Sequence, residues 1–221
     1  MTATALPRAF YARDPRLVAP DLLGKVLVRT GPAGVPDRAG RIVEVEAYCG
    51  GEDPGSHAYR GMTDRNRVMF GPPGGLYVYF TYGMHWCANA VCGEVGDGLA
   101  VLLRALAPID GLEAMRAARP RARRERDLCS GPAKLCQALG LDRAFDGADL
   151  VTGGEGVTIV DDGTAPAAAD VVVDRRIGLT RGAEHEWRWL VAGDPNVSVA
   201  AGRSRPPRRA PAAADGRGGR R

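Results

Sequence analysis

Residues 71–91 read GPPGGLYVYFTYGMHWCANAV, two aromatic-rich, β-prone runs on either side of Tyr82-Gly83. Val, Tyr, Phe and Trp suit a pleated, half-buried surface, and a glycine in a short connection supplies the positive φ that tight hairpin turns need. The segment therefore predicts an antiparallel β-hairpin over Leu76 to Tyr82 and Trp86 to Val91, with Tyr82 at or near the tip. Tyr77 and Tyr79 alternate with Val78 and Phe80, so regular pairing sets Tyr79 opposite Tyr82. A hairpin core accounts for most of these aromatics. It does not account for a large ring at an exposed turn, which is costly unless it binds something.

Further strand-like runs are Lys25 to Thr30, Arg41 to Tyr48, Leu99 to Ala105, Val157 to Asp161, Val171 to Gly178 and Trp187 to Val191. Helix signals are fewer. Asp14-Pro15 offers an N-cap and an N1 proline ahead of Leu17 and Val18, with Gly24 as the stop. Asp110 with Glu113 forms a capping-box-like start for a helix reaching about Ala118, and Ser130 begins another that carries Leu135 and Leu139 and ends at Gly140. Strands dominate and helices interrupt them irregularly. The fold class is α+β, a single compact mixed domain on a largely antiparallel, curved sheet with peripheral helices.

The 221 residues are 45% hydrophobic and 25% charged, which fits one globular domain, read as residues 1–199. Residues 200–221 offer no large apolar side chain to bury and are read as a disordered Arg-rich tail. Ala201 to Arg221 holds seven Arg and one Asp, so the net charge of +4 leaves −2 for the rest. A nucleic-acid surface on the folded part then has to come from patterning rather than bulk charge. The most apolar run, Leu99 to Pro108, is interrupted by Arg104 and falls short of the ~18 residues of a membrane span, so no membrane partner is expected. Met1 to Arg13 lacks the features of a secretory leader; the expected location is cytoplasmic, and nucleoid-associated if the chain is bacterial. Cys49, Cys87, Cys92, Cys129 and Cys136 include no Cys-x-x-Cys pair, which argues against a zinc site and a disulfide framework and for small buried hydrophobes.

In RIVEVEAY, Arg41 to Tyr48, period two sets Val43, Val45 and Ala47 on one face and Ile42, Glu44, Glu46 and Tyr48 on the other. Such a face is either solvent-exposed or a pocket wall, where a carboxylate beside another carboxylate and an aromatic can serve as a general base. His57 to Phe70 reads as a long loop with Arg60, Arg65 and Arg67, suited to phosphates or simply solvated. Arg116 to Arg126 contains six arginines and one glutamate and carries the same two readings.

The stretches RIVEVEAY, HAYRG, RNRVMF, LYVYFTYGMHWCANAV, VLLRALAP and LCSGPAKLCQALGL, in this order and spacing, resemble the alkyladenine (3-methyladenine) DNA glycosylase family shared by animals and bacteria. The resemblance spans roughly Phe10 to Val199. It implies a single-domain mixed fold whose hairpin enters the DNA minor groove, with the family's wedge tyrosine at Tyr82; Gly83 beside it and Arg65 and Arg67 of the basic loop are read as further DNA contacts. It places the catalytic glutamate at Glu46 and base-stacking residues at Tyr48, His57 and Tyr79. Asn89 falls on the asparagine that crowds the amino group of normal guanine, and Arg104 on an arginine near the flipped nucleotide's backbone. The implied partner is double-stranded DNA containing damaged purines, acted on by a monomer without metal or organic cofactor.

A purine alkylated at N3 or N7 is cationic, so electron-rich rings attract it beyond stacking, and Glu46 would deprotonate a water that attacks C1′. Residues two apart on a strand stand ~6.5 to 7 Å apart, within the range of inverting glycosidases. Glu44 and Glu46 nevertheless approach from one side, whereas acid and base must flank the bond, so Glu44 reads as a structural or tuning residue. An imine usually needs a lysine amine, and the two lysines, Lys25 and Lys134, both lie outside the pocket segments, which favours simple hydrolysis. The alternative is a non-catalytic DNA-damage or structure-binding module, against which a base at Glu46 argues. A free-nucleoside hydrolase has no use for Tyr82 or arginine-rich surfaces.

Overall fold

The computed structural model describes residues 3–81 and 83–203; the predicted wedge Tyr82 and most of the predicted tail, 204–221, lie outside the described residues. The chain runs β1 (Thr4–Ala5), α1 (Arg8–Tyr11), α2 (Pro15–Leu22), β2 (Val26–Arg29), β3 (Arg38–Cys49), β4 (Leu76–Thr81), β5 (His85–Cys92), β6 (Leu99–Asp110), α3 (Leu112–Ala118), α4 (Pro132–Leu139), β7 (Val157–Asp161), β8 (Val171–Asp174) and β9 (Arg188–Val191). The strands form one antiparallel sheet in the order β1-β7-β2-β3-β6-β5-β4, with β9 on β3 and β8 beyond it. The class is α+β, as expected.

β3 is the spine. Its first residues, Arg38 to Arg41, pair with β2, then Glu44, Val45 and Glu46 pair with β9 along the same edge, while β6 follows the other edge from Ala39 to Cys49. The segment with the two glutamates therefore has strands on both sides, and Glu44 and Glu46 are wholly buried. That excludes the solvent-exposed reading of this face.

Two register irregularities frame Glu44. Val43 has no Cα partner on β6 and Arg104 has none on β3, so each strand carries one extra residue and the two bulges cancel. A bulge re-aims a side chain and switches the alternation beyond it. Ile42 and Leu106, paired with each other, both turn into the main core with Val45, Ala47 and Leu103. Strict alternation grouped Ile42 with the glutamates; the bulge at Val43 is why it does not stand there.

The main core lies between the sheet and α2, α3 and α4, which contribute Val18, Leu22, Met115, Leu135 and Leu139. In β4, Val78 points into this core, whereas Tyr77 joins a second cluster with Ala58, Met69, Val91 and Ala100, against which Tyr79 packs. Period two thus sends one set of side chains to the helices and the other to the loops at 50–71, where the site forms.

Helix α2 starts as read, with Asp14 accepting from the Arg16 amide. The other two starts differ. Asp110 is the last residue of β6, its carboxylate accepts from Gly111 N, and Gly111 at φ +70° caps α3 without a side-chain bond. α4 begins at Pro132 behind Gly131, leaving the Ser130 hydroxyl to accept from Lys134 Nζ at 3.1 Å. β6 runs on to Asp110 rather than stopping at Ala105, and β8 stops at Asp174 because Arg176 turns inward to Asp53. β1 and α1, of two and four residues, are too short for any periodicity to show. All five cysteines are buried. No helix among the described residues is long and apolar enough to cross a membrane.

Candidate active site

The sheet face turned away from the helices forms one wall of a cavity of about 220 Å³. Tyr48 from β3, Tyr77, Tyr79 and Thr81 from β4, Cys87 and Asn89 from β5, and Leu102 and Arg104 from β6 line it. The opposite wall consists of Gly55, His57 and Met69 from one loop, Pro132 at the start of α4, and Ile177, Gly178 and Leu179 from the loop after β8. The strand residues recur at i, i+2, so the pleat itself delivers them to one side.

The aromatics are packed against one another before any ligand arrives. Tyr77 and Tyr79 stack with ring centroids 5.4 Å apart, and His57 meets the Tyr79 ring edge-on at 4.5 Å. His57 Nδ1 lies 3.2 Å from the Tyr77 hydroxyl. Burial pushes the Tyr77 phenol up to about 12 and raises those of Tyr79 and Tyr48 as well, so all three rings stay neutral hydroxyl donors. Asn89 donates from Nδ2 to Tyr77 O at 3.1 Å, which fixes its amide at the cavity wall.

Behind this lining runs a chain of alternating buried charges. Asp174 Oδ2 accepts from Arg188 Nη2 at 2.6 Å, and Arg188 Nη1 reaches Glu44 Oε1 at 2.8 Å. Arg104 then bridges both glutamates, with Nε 3.0 Å from Glu44 Oε1 and Nη1 3.2 Å from Glu46 Oε1. Glu44 is further held by Ser198, whose amide and hydroxyl donate at 2.6 and 2.9 Å. Burial works against the Arg104 charge, but Glu46 and then Glu44 more than restore it, so its pKa lies above the ordinary arginine value. Three carboxylates and two guanidiniums make a chain of net charge −1 that ends at Glu46.

Glu46 takes Ile177 N at 2.7 Å and Arg104 on Oε1, and the Tyr48 hydroxyl at 2.9 Å on Oε2. A carboxylate offers about four acceptor sites, so one, on Oε2, is left for a further donor. Glu44 takes four donors, with Arg104, Arg188 and the Ser198 hydroxyl on Oε1 and the Ser198 amide on Oε2.

Of the residues singled out in the sequence, Tyr48, His57, Tyr79, Asn89 and Arg104 come together at the cavity, with Glu46 directly behind Tyr48 and Arg104. Arg65 and Arg67 do not line it. They lie with Arg143 in a recess alongside Phe80 and Trp86 of the hairpin, where Arg65 Nη2 donates to Phe80 O at 3.0 Å. On the α4 side of the hairpin, His85, Arg119, Arg121 and Lys134 line a third recess. Gly83, at φ +68°, has open space where a Cβ would go. Sequence reasoning missed Ile177, Arg188, Ser198 and the Asp53–Arg176 pair; a backbone amide or a single polar side chain in a loop or short strand carries no periodic signal.

The family profile described as Methylpurine-DNA glycosylase matches residues 9–195. A Burkholderia lata protein named "Putative 3-methyladenine DNA glycosylase" is 58% identical over 193 residues, covering 87% of this chain and 90% of that one. Proteins of the same name from Streptomyces avermitilis and Methanocella arvoryzae are 51% and 49% identical over 196 residues each. Those alignments cover 88% and 87% of this chain and 91% and 95% of the two relatives.

The surrounding protein, and then the Arg65 charge, hold the His57 ring below its ordinary value of 6.5. Its contribution to stability is therefore present above 6.5 and is lost as pH falls from 6.5 through the lower folded value. An NMR titration of the ring should give a midpoint below 6.5 that rises in Arg65→Ala; a wild-type midpoint at or above 6.5 would contradict this environment.

Proposed function

The chain belongs to the methylpurine-DNA glycosylase family, and from that premise we propose that it flips alkylated purines out of duplex DNA and hydrolyses their N-glycosidic bond with a Glu46-activated water, with deaminated and etheno purines as candidate further substrates. As a DNA glycosylase it is a hydrolase that acts on DNA in repair. The observation that carries the finer reading is the formally anionic buried chain whose Glu46 end lies directly behind Tyr48 and Arg104 of an aromatic cavity.

Unstacking a base costs a few kcal/mol, and base–aromatic stacking returns ~1–3 kcal/mol. Tyr48 has one face covered by the Arg176 guanidinium at 4.7 Å, so only its other face is open to a base, with Tyr79 and His57 contributing from the hairpin side. A cationic purine is attracted by the formal net negative charge of the buried chain as well as by these rings. The proton of a water on the free Oε2 site passes to Glu46, its oxygen attacks C1′, and the bonding electrons leave with the purine, which departs neutral if it entered as a cation. The same carboxylate stabilises the developing positive charge on the sugar. No second acid is needed for such a base, in keeping with Glu44 being held by four donors and not lining the cavity.

The hairpin stands between two recesses with cationic side chains in their lining, one with Arg65, Arg67 and Arg143 beside Asp64 and Asp146 and the other with Arg119, Arg121 and Lys134. That arrangement supports a duplex gripped on either side of a wedge, by a single protein copy. Lys25 is paired with Asp161 at 2.6 Å and Lys134 bonds Ser130, both away from the base cavity, which supports a glycosylase without lyase activity.

Glu46→Gln keeps size and most hydrogen bonding but removes basicity and charge. Single-turnover release of 7-methylguanine should fall by ~10²- to 10⁴-fold with duplex binding within about tenfold of wild type. The loss should be larger for neutral hypoxanthine, whose departure needs more help. An unchanged rate would remove Glu46 as the base, and tight binding without release by the wild type would leave a binding module. Borohydride added during turnover should trap no protein–DNA adduct; an adduct would show imine chemistry and overturn the monofunctional reading.

A further inference from the structure

Asp53 and Arg176 form a second buried ion pair that the chemistry above does not use. Arg176 Nη1 and Nη2 meet Asp53 Oδ2 and Oδ1 at 2.5 and 2.7 Å, and neither side chain has exposed surface. The same two nitrogens donate to Ala47 O and Gly182 O, each at 3.0 Å. Asp53 also accepts from Cys49 N at 3.2 Å and Gly55 N at 2.9 Å. The guanidinium lies 4.7 Å from the centre of the Tyr48 ring and 5.0 Å from that of Trp187.

The cage around the pair has no slack. A Cβ on Gly55 would stand 2.9 Å from Leu179 Cδ1 and 3.0 Å from Arg176 Nη2. One on Gly182, whose φ is +61°, would stand 3.0 Å from Arg176 Nη2 and 3.1 Å from Asp53 Oδ1. Three chain segments, the end of β3, the turn at 53–55 and the loop at 176–182, thus meet on one guanidinium.

Two of the groups so held face the reaction. The residue after Arg176 is Ile177, whose amide donates to Glu46 at 2.7 Å, and Tyr48 donates to the other oxygen of that carboxylate at 2.9 Å. Gly55, Ile177, Gly178 and Leu179 are also cavity wall. For stability alone, a buried pair is often matched or bettered by apolar residues of similar volume, whereas a bidentate fork adds geometric definition.

We propose that Asp53 and Arg176 are positioning residues for base release: acting through the Tyr48 ring and the Ile177 amide, they hold Glu46 and the flipped base in the geometry of bond cleavage, and so govern its rate rather than the grip on DNA. The proposal rests on the glycosylase reading above. A displacement near 1 Å around a reacting centre can cost on the order of 10²-fold in rate.

The test is single-turnover release of 7-methylguanine from a duplex at increasing protein excess, which separates the maximal rate from the half-saturating concentration. Asp53→Asn should lower the maximal rate about tenfold or more, with half-saturation within about threefold of wild type. Combined with Tyr48→Phe it should lose less than the product of the two single effects, because both act on the same carboxylate. Arg176→Lys keeps the charge but not the fork; it should fall between wild type and Asp53→Asn, and it carries the comparison if Asp53→Asn does not fold. Maximal rates that match wild type once corrected for the folded fraction, or single effects that simply multiply, would overturn the proposal. No release by the wild-type protein would overturn the glycosylase reading and this inference with it, an outcome distinct from a loss confined to the variants.

Discussion

The rest of the site depends on Arg104 being held between two carboxylates in the middle of a sheet. Glu44 and Glu46 sit two residues apart on β3, both wholly buried, and two ionised groups that close destabilise each other unless a cation stands between them. The cation comes from the facing strand, and it reaches both because β6 carries one extra residue at that point. The paired bulges are thus the backbone's answer to an electrostatic problem. They also return Leu106 and Ile42 to the core, so the sheet loses no apolar contact in accommodating the ions.

The charged chain runs on from this unit. Arg188 and Asp174 extend it away from the cavity, Ser198 and the two arginines hold Glu44, and Glu46 is the carboxylate directly behind Tyr48 and Arg104 of the cavity wall. Burying a net charge is expensive. Under the proposed function a cationic base offsets that expense, so the ligand whose charge complements the site is the one it favours. The aromatic wall has the opposite character, since it is preassembled and neutral, with phenols raised by burial and an imidazole lowered by it. Rigid strands supply the rings and the carboxylates; loops supply the amide of Ile177 and the facing wall.

What was legible in the sequence was what repeats. Alternation in Leu76 to Thr81 and in the strand around Glu46 marked the sheet and the residues that share a face, and the aromatic hairpin with its neighbouring motifs marked the family. Alternation could not show the bulges at Val43 and Arg104, because a bulge is one residue of extra length set by tertiary pairing. It also could not show that Arg176 and Arg188, in runs that read only as strands, are wholly or nearly wholly buried: their partners Asp53 and Glu44 lie more than a hundred residues earlier in the chain. Capping was misplaced at α3 and α4 for a related reason. Gly111 and Gly131, with positive φ, begin those helices where side-chain signals suggested Asp110 and Ser130.

The central claim is that Glu44, Arg104 and Glu46 form one electrostatic unit rather than separate contacts, and a double-mutant cycle on stability measures this directly. Urea denaturation of Glu44→Gln, Arg104→Gln and the double variant would give the coupling. Removing one partner of a buried pair costs about 3–5 kcal/mol because the other charge is stranded, and removing both strands less charge. The account predicts that the double variant is more stable than the sum of the single losses by at least about 1 kcal/mol, whereas losses additive to within about 0.5 kcal/mol would contradict it.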